Sequence, residues 1–241
     1  DRAHAAASQA SGVRLTSAPC FKELTILSTK LDCYSKGITG PISPAAVVAL
    51  SEFGALTHVD LSGNSLTGAI PSEIGLLTQL TDLRLFSNSL TGGIPTELGL
   101  MVELVELRLF KNALTGQVPT QIGLLSNLQH LDIEQNSLQS TLPTEIGAMR
   151  SLTTAKMFST GITGEVPTEL GNLGNLHYLD MEGNSFGGAM PTQLGLLTNL
   201  TNLYLADNEL TGSIPTELGS MGSIKRVYFE KNNLSGEIPS G

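Results

Sequence analysis

Two pairs of acidic side chains are the first candidates for chemistry in this sequence. Asp132 and Glu134 stand two residues apart, and Asp180 and Glu182 repeat the arrangement further along the chain. Paired carboxylates of this kind can serve as acid and base in glycoside hydrolysis. Here, however, an internal repeat generates the second pair as a copy of the first. The spacing therefore has a simpler origin than catalysis, and we do not expect a catalytic dyad.

The four histidines, His4, His58, His130 and His177, offer no better site. His58 and His130 occupy equivalent positions three strands apart, about 14 Å at the usual strand spacing, which is too far to share a metal ion. His177 has no cysteine or serine in a relation that suits a catalytic triad. We therefore predict that the protein is not an enzyme and that it uses neither a metal nor a cofactor.

An internal repeat of 24 residues positions these side chains. Segments such as LTGGIPTELG and LTGSIPTELG recur in phase, and a degenerate unit with Lys36 at the anchor position and a four-residue insertion precedes them. Periods of this length are typical of solenoids, in which one unit cannot bury its apolar stripe alone and neighbouring units must stack. We number repeats 1 to 8 by their anchor residues, which are Asn64, Asn88, Asn112, Asn136, Thr160, Asn184, Asn208 and Asn232.

The repeat unit, LxxLxLxxNxLTGxIPxxIGxL, strongly resembles the plant-type leucine-rich repeat, which the LTGxIP segment marks. The resemblance implies an α/β fold, a right-handed leucine-rich repeat solenoid with a parallel β-sheet on its concave face. It also implies a second short extended segment on LTGxIP and short helical turns on the convex side. We expect residues 1–23 to form an N-terminal arm and cap, and residues 24–241 to form the repeat domain, one degenerate unit plus eight repeats.

The residues support this arrangement independently. Alternating leucines such as Leu107 and Leu109 predict short strands with one buried face, and the anchor asparagines suit a stacked ladder that satisfies backbone groups in the turns. Repeat 4 carries LQSTLP in place of LTGxIP, which puts its second extended segment in doubt. The sequence ends within the repeat pattern, at LSGEIPSG, and we expect that this end continues or is covered.

Strand residues that point away from the core fall in three columns, six, four and two positions before each anchor. The middle column predicts ion pairs between neighbouring strands, which lie about 4.8 Å apart. Such a ladder would neutralise itself, with each exposed pair contributing less than about 1 kcal/mol. The predicted pairs are Asp60–Arg84, Arg108–Asp132 and Asp132–Lys156–Asp180.

Six of the 11 aromatic residues (seven Phe, four Tyr) fall on the same predicted face, and Phe86 and Phe110 should be stacked neighbours. Clustered aromatic rings beside arginine are typical of contact surfaces, although Arg or Lys stems that cover the rings are an alternative. We predict a partner-binding surface. Its residues are Arg84, Phe86, Arg108, Phe110, Asp132, Lys156, Phe158, Tyr178, Asp180, Tyr204 and Tyr228.

Bulk properties limit the partners and the compartment. A formal net charge of −9 argues against nucleic acid or an anionic membrane, and apolar runs such as PAAVVAL fall well short of the roughly 18 residues of a membrane span. Cys20 and Cys33, close together before the array, favour a disulfide in an extracellular or other oxidising compartment, with buried free thiols as the alternative. Glycosylation sequons at Asn199 and Asn233 are compatible with secretion.

Together these features favour a receptor-ectodomain-like recognition domain that binds a protein, a peptide or a glycan on its concave face. A secreted inhibitor of wall-degrading enzymes and a rigid scaffold subunit of a larger assembly are alternatives. Ice binding through a convex hydroxyl column is a minor one, because a Ser or Thr at the start of a helical turn more simply caps it. That column consists of Ser72, Thr96, Thr120, Thr144, Thr168, Thr192, Thr216 and Ser240.

Overall fold

The computed structural model describes residues 19–22, 24–25 and 27–239. Most of the expected N-terminal arm and cap, as well as His4 and Ser240, lies outside the described residues. Within them, no helix is long and apolar enough to cross a membrane.

The main element is a parallel sheet of nine short strands in the order β1-β3-β5-β7-β8-β9-β11-β13-β15. Each unit supplies one strand. In the inner strands the central residue, such as Leu107 or Leu131, is fully buried and the flanking residues are mostly more exposed, whereas Val227 at the centre of the last strand is 42% exposed. This alternation is what the leucine spacing predicted. The strands are β1 (Lys30–Asp32), β3 (His58–Asp60), β5 (Asp82–Arg84), β7 (Glu106–Arg108), β8 (His130–Asp132), β9 (Thr154–Lys156), β11 (Tyr178–Asp180), β13 (Asn202–Tyr204) and β15 (Arg226–Tyr228).

A second extended layer follows the anchor residues, as the LTGxIP segment implied, but it is interrupted. In repeats 3 and 4 it is reduced to single bridges, Thr115 to Ser137 and Thr141 to Thr163. The doubt about LQSTLP in repeat 4 is confirmed. Repeat 3 follows the consensus and still bonds to repeat 2, from the Ala113 N–H to the Leu90 carbonyl at 2.8 Å. The layer is also reduced to a single bridge, Ala189 to Thr211, between repeats 6 and 7. The strands of this layer are β2 (Thr39–Pro41), β4 (Ser65–Ala69), β6 (Ser89–Thr91), β10 (Thr163–Glu165), β12 (Ser185–Gly187), β14 (Thr211–Ser213) and β16 (Asn233–Ser235).

Short helices lie on the side of the solenoid opposite the main sheet. Helix α1 spans Pro19–Lys22, and α2 spans Pro44–Ser51, where the Ser43 hydroxyl caps the helix by accepting a hydrogen bond from the Ala46 N–H at 3.1 Å. Each complete repeat up to repeat 7 adds one 3₁₀-helix. These helices are Ser72–Leu76, Thr96–Leu100, Thr120–Leu124, Thr144–Ala148, Thr168–Asn172, Thr192–Leu196 and Thr216–Ser220.

The prediction that the Thr column caps these turns was wrong. Proline occupies the cap position in extended backbone, and no side chain caps the 3₁₀-helix that begins at Thr96. Threonine is already the first helical residue, so its hydroxyl points sideways rather than at the free N–H groups. The Thr96 hydroxyl instead donates to the Glu97 carboxylate at 3.1 Å, and Thr168 repeats this contact with Glu169.

The anchor asparagines tie each repeat to the one before it. The Asn112 side-chain amide donates to the Leu109 carbonyl of its own repeat and to the Leu85 carbonyl of repeat 2, at 2.9 and 3.0 Å. Its Oδ1 atom accepts the backbone N–H of Leu90, also in repeat 2, at 3.0 Å. Every buried polar group at this corner is thereby paired across the repeat boundary.

Repeat 5 keeps the ladder with a shorter side chain. Thr160 is fully buried, and its hydroxyl bonds to the Met157 carbonyl at 3.0 Å and to Oδ1 of Asn184 at 2.7 Å. Ala155 and Met157, which replace leucines in this repeat, are also fully buried, and the strand register continues unchanged on both sides.

The constant spacing of the 3₁₀-helices brings the backbones of neighbouring repeats into close contact. A Cβ atom placed on Gly99 would lie 2.6 Å from the carbonyl oxygen and 2.7 Å from the Cβ of Gln121 in the next repeat. The packing of the turns therefore requires glycine in the IG or LG dipeptide, since no side chain fits between them. The same contact recurs at Gly75, Gly147, Gly171 and Gly195.

The N-terminal end is held by the predicted disulfide. Cys20 in α1 is bonded to Cys33, which directly follows β1 and is fully buried. The bond closes a loop with a sequence separation of 13 residues, for which the loss of chain entropy in the unfolded state is worth about 3 kcal/mol. It therefore fixes α1 against the first strand of the main sheet.

We predict that Gly99→Ala lowers the free energy of unfolding by about 1–3 kcal/mol, because the new methyl group must push two backbones apart. Gly174→Ala is the matched control, since nothing lies within 4 Å of a Cβ atom at that position, and its effect should stay within about 0.5 kcal/mol. Urea unfolding followed by circular dichroism measures both. Equal effects of the two substitutions would contradict the packing role of Gly99.

Candidate ligand-binding surface

The outward-pointing residues of the main sheet form one continuous surface, which we call the open sheet face. It comprises the first and third residues of each strand from β1 to β15 and the residue two positions before each anchor. Strand register sets their neighbours: Arg84 lies opposite Arg108, and Arg108 opposite Asp132. All 11 predicted partner-binding residues lie on this face.

A phenylalanine stack occupies the N-terminal half of the open sheet face. The rings of Phe86 and Phe110 lie 4.4 Å apart between centroids and 6° from parallel, as predicted. Tyr34 extends the cluster, with its ring centroid 6.5 Å from that of Phe86, and is 52% exposed. Sequence reasoning missed Tyr34, although its position two residues before Lys36 placed it in the same column. Phe158 lies in this column two repeats beyond Phe110.

A tyrosine ladder occupies the C-terminal half. Tyr204 and Tyr228 stack at 5.0 Å and 7°, and Tyr178 lies 5.3 Å from Tyr204 at 38°. The Tyr178 hydroxyl donates to the Asp180 carboxylate at 3.2 Å, and burial together with that carboxylate raises the pKa of Tyr178. Lys156 places its ammonium group 5.8 Å from the centre of the Tyr178 ring, a cation–π contact.

The arginines do not form the predicted ladder along the middle column. Arg84 binds both oxygens of Asp82, at 3.0 and 2.6 Å, and one oxygen of Glu106 at 3.1 Å. The same Glu106 oxygen lies 3.1 Å from Arg108. Of the predicted pairs, Asp60–Arg84 is present at 3.8 Å. It is the weakest of the three carboxylate contacts of Arg84.

The predicted pairs Arg108–Asp132 and Asp132–Lys156–Asp180 were wrong: neither appears among the ion pairs of the described residues. Glu106, in the first column, lies beside both arginines and draws Arg108 away from Asp132. Lys156 turns to the Tyr178 ring instead. The middle of the open sheet face is consequently left with carboxylates that lack direct cationic partners.

Four carboxylates make up this central region, and we call Asp132 with Glu134, and Asp180 with Glu182, the two acidic pairs. Within the described residues, Oδ1 of Asp132 is a buried atom with no hydrogen-bond partner, an arrangement that typically costs about 1–3 kcal/mol. Such an atom calls for an explanation. Because this oxygen is buried, only a group of the protein approaches it without a rearrangement, and the backbone N–H of Glu134, which acts to lower the pKa of Asp132, is such a group.

Burial and mutual repulsion perturb the acidic pairs. Burial raises the pKa of Asp132 to about 6, against the opposing attraction of Lys156 and Arg108. Burial, and then repulsion by Asp132, raises the pKa of Glu134 to about 7, while Lys156 and Lys111 oppose the shift. The pKa values of Asp180 and Glu182 are also raised, chiefly by burial. Near neutral pH this surface therefore favours a proton or another cation.

Other predicted sites are placed as follows. Asn199 and Asn233, the sequon asparagines, are both exposed, and the Asn199 amide donates to the Gly174 carbonyl at 2.7 Å. His58 and His130 lie on the open sheet face in β3 and β8. Across the part of the chain that the structure describes, no group of three or more His, Cys, Asp or Glu side chains is arranged to hold a metal ion.

We predict that the free energy of unfolding falls as pH rises from about 4 to 8. Asp132 and Glu134 hold protons more tightly in the folded than in the unfolded state, so raising the pH through this window removes protons preferentially from the folded form. The double variant Asp132→Asn/Glu134→Gln should therefore be more stable than the wild type at pH 8, by on the order of 1 kcal/mol after solvent screening, and similar at pH 4.

Urea unfolding at several pH values measures this profile. Glu145→Gln/Glu217→Gln, which removes the same charge from exposed positions on the helical side, should follow the wild-type profile. If the double variant at Asp132 and Glu134 is less stable than the wild type at pH 8, the result contradicts the conclusion that these two charged carboxylates destabilise the folded state.

Comparisons with known proteins agree with the repeat architecture. A leucine-rich repeat family model matches residues 55–77, 79–101, 127–149, 175–197 and 199–221. A comparison with curated protein sequences returns no match.

Solved structures with the same fold include ectodomains of plant receptor kinases. The chain is 34% identical, with a TM-score of 0.82, to the ectodomain of the Arabidopsis thaliana receptor kinase GASSHO1/SCHENGEN3, solved in complex with CASPARIAN STRIP INTEGRITY FACTOR 2; the match covers 86% of this chain and 24% of that one. It is 29% identical, with a TM-score of 0.78, to the ectodomain of the Arabidopsis receptor kinase HAESA in complex with an IDA peptide hormone, over 84% of this chain and 34% of that one. The chain thus spans about a quarter to a third of these ectodomains.

A plant ice-binding protein is also similar, at 27% identity and a TM-score of 0.67, over 85% of this chain and 72% of that one. The five matched segments contain repeats 1, 2, 4, 6 and 7. The remaining repeats continue the same strand register and the same asparagine ladder between them. This chain is therefore a plant-type leucine-rich repeat protein.

Proposed function

We propose that the protein is a non-enzymatic recognition domain that binds a peptide, or a peptide segment of a protein, on its open sheet face. This face is the concave one that the repeat class implies. The observation that carries the proposal is the row of half-buried, stacked rings formed by the phenylalanine stack and the tyrosine ladder, which ends in the exposed Tyr34 on one side and the exposed Tyr228 on the other.

The alternative explanation, that Arg or Lys stems cover the rings, applies to Tyr178, over which Lys156 lies, but fits the phenylalanine stack poorly. Arg84 and Arg108 are in the middle column and direct their guanidinium groups to Asp82 and Glu106 in the first column. The phenylalanines lie in the third column, on the other side. The half-buried phenylalanine rings therefore remain in part accessible to a partner, and clustered aromatic rings are typical of interface anchors.

Similar proteins support a peptide ligand. The GASSHO1/SCHENGEN3 and HAESA ectodomains were both solved with bound ligands, a peptide hormone in the case of HAESA. These ectodomains are several times longer than this chain, so the likeness supports the class of function and does not transfer their ligands. The disulfide between Cys20 and Cys33 supports an extracellular location.

Ice binding is a second candidate because of the similar plant ice-binding protein. The hydroxyl column on the helical side is regular, but Thr96 and Thr168 donate their hydroxyl protons to neighbouring glutamates. A charged carboxylate follows five of the seven described hydroxyls, with glutamine after Thr120 and Thr192, and this makes the column a poorer template for ordered water than a bare threonine array.

We predict no thermal hysteresis above that of a non-binding protein at equal concentration, because these carboxylates disrupt the array. Nanolitre osmometry of the wild type and of Thr96→Val/Thr120→Val measures this directly. Hysteresis in the wild type that the double substitution removes would favour ice binding instead.

For peptide recognition, we predict that peptides selected from a displayed random 12-residue library bind the wild type and lose at least about tenfold in affinity, or about 1.4 kcal/mol, on Phe86→Ser/Phe110→Ser. The loss follows from removing the stacked rings. Val102→Ser is the matched control, since Val102 is 44% exposed outside the open sheet face, and it should leave the affinity unchanged. Peptides that bind all three proteins equally, or a library that yields no ring-dependent binder, would contradict the proposal.

A further inference from the structure

The two acidic pairs are related by the repeat. Asp132 and Asp180 both lie opposite Lys156 of the strand between them, so the pairs are two strands apart. At the usual strand spacing this is about 9.6 Å. Phe158, in the third column of the intervening repeat, lies between Glu134 and Glu182.

The region between the pairs has an excess of negative charge. Four carboxylates face one lysine, Lys156, whose ammonium group lies against the Tyr178 ring. On the N-terminal side Arg108 is bonded to Glu106, and on the C-terminal side Lys231 is paired with Asp207 at 2.9 Å. In the described part of the chain none of the four carboxylates forms an ion pair. The charge that would complement this region is therefore positive.

Hydrogen bonding points to the same kind of partner. Asp132 and Glu134 are half-buried, so part of their carboxylate surface remains accessible to a donor from a ligand. A lysine ammonium or an arginine guanidinium supplies several donors, and bonds from such groups to a carboxylate are short and strong. Phe110 and Phe158 flank Glu134 in the third column, where the hydrocarbon stem of a Lys or Arg side chain can pack between rings.

The distance between the two acidic pairs favours one peptide conformation. In a polyproline II helix, residues i and i+3 lie on the same side, roughly 9.3 Å apart. This matches the separation of the acidic pairs, whereas residues i and i+2 of an extended strand are only about 6.6 Å apart. A ligand in polyproline II conformation can thus place one cation on each pair.

Resting on the proposed function, we propose that the ligand of the open sheet face is a basic peptide with two Lys or Arg residues three positions apart. One cation binds Asp132 and Glu134, and the other binds Asp180 and Glu182. The aromatic rings supply contact area on both sides of these cations, and the acidic pairs supply specificity for charge and spacing.

The test uses synthetic, acetylated and amidated peptides with proline spacers. The sequences GPKPPKPG, GPKPKPPG and GPKPPPKG place two lysines at i+3, i+2 and i+4, and GPQPPQPG is the neutral control. Titration calorimetry at pH 7.5 and low salt should show that the i+3 peptide binds the wild type at least fivefold more tightly than the other two lysine peptides. GPQPPQPG should not bind.

Variants distinguish binding of the peptide by the acidic pairs from a general effect of the net charge of the protein. Asp132→Asn/Glu134→Gln should weaken the i+3 peptide at least tenfold, and lowering the pH to 5 should weaken it on the wild type, because protons then compete for the carboxylates. Glu145→Gln/Glu217→Gln, with the same change in net charge, should bind as the wild type does. Circular dichroism checks that each variant is folded.

Several results would overturn the inference: no binding of the i+3 peptide at millimolar concentration, equal affinity at all three spacings, or an equal loss in the control variant. Library-selected peptides distinguish its failure from that of the proposed function. If they depend on Phe86 and Phe110 but lack paired basic residues and ignore the acidic-pair substitutions, only this inference fails. If they do not depend on the rings, peptide recognition on the open sheet face fails as well.

Discussion

Contact between neighbouring repeats is the constraint on which the whole structure depends. A single 24-residue unit has three short elements and cannot bury its leucines, so each unit uses the next one as half of its core. The contact is close enough that Gly99 faces the Gln121 backbone with no room for a methyl group. On the opposite side, Asn112 bonds to backbone groups of two repeats at once. These two contacts hold both sides of the stack and keep the period constant.

A constant period imposes order on the open sheet face as well. Each variable position lies directly beside its counterpart in the next repeat, so similar residues become neighbours whether or not their interaction is favourable. At Phe86 and Phe110 this produces a stacked aromatic pair. Asp132 and Glu134 are neighbours within one repeat, and their raised pKa values record the cost of burial and, for Glu134, of repulsion by Asp132. A surface that carries such a cost in the free protein is suited to a ligand that relieves it, which is how strain is commonly used at binding sites.

The site could be predicted from the sequence only in part. The columns followed from counting back from the anchors, so the positions of the aromatic residues were accessible. Pairing within the columns was not, because it depends on side-chain reach. Glu106 lies close to both Arg84 and Arg108. A guanidinium group can pair with a carboxylate on its own strand or on a neighbouring strand, because the distances are similar. Tyr34 was missed because the four-residue insertion in the degenerate unit obscured its equivalence to Phe86.

The sequence by itself determined the fold class and the register of the main sheet, because an exact repeat with fixed leucine, asparagine and glycine positions allows one way of stacking. It favoured the disulfide, which the structure then showed. The tertiary structure decided the features for which several neighbouring groups compete as partners. It broke the second extended layer at repeats 3 and 4, beside the altered LQSTLP segment, and again between repeats 6 and 7. It also left Oδ1 of Asp132 without a donor, because Arg108 and Lys156 both found better contacts elsewhere. These pairings depend on distances between side chains of neighbouring repeats, and the sequence of one repeat does not determine those distances.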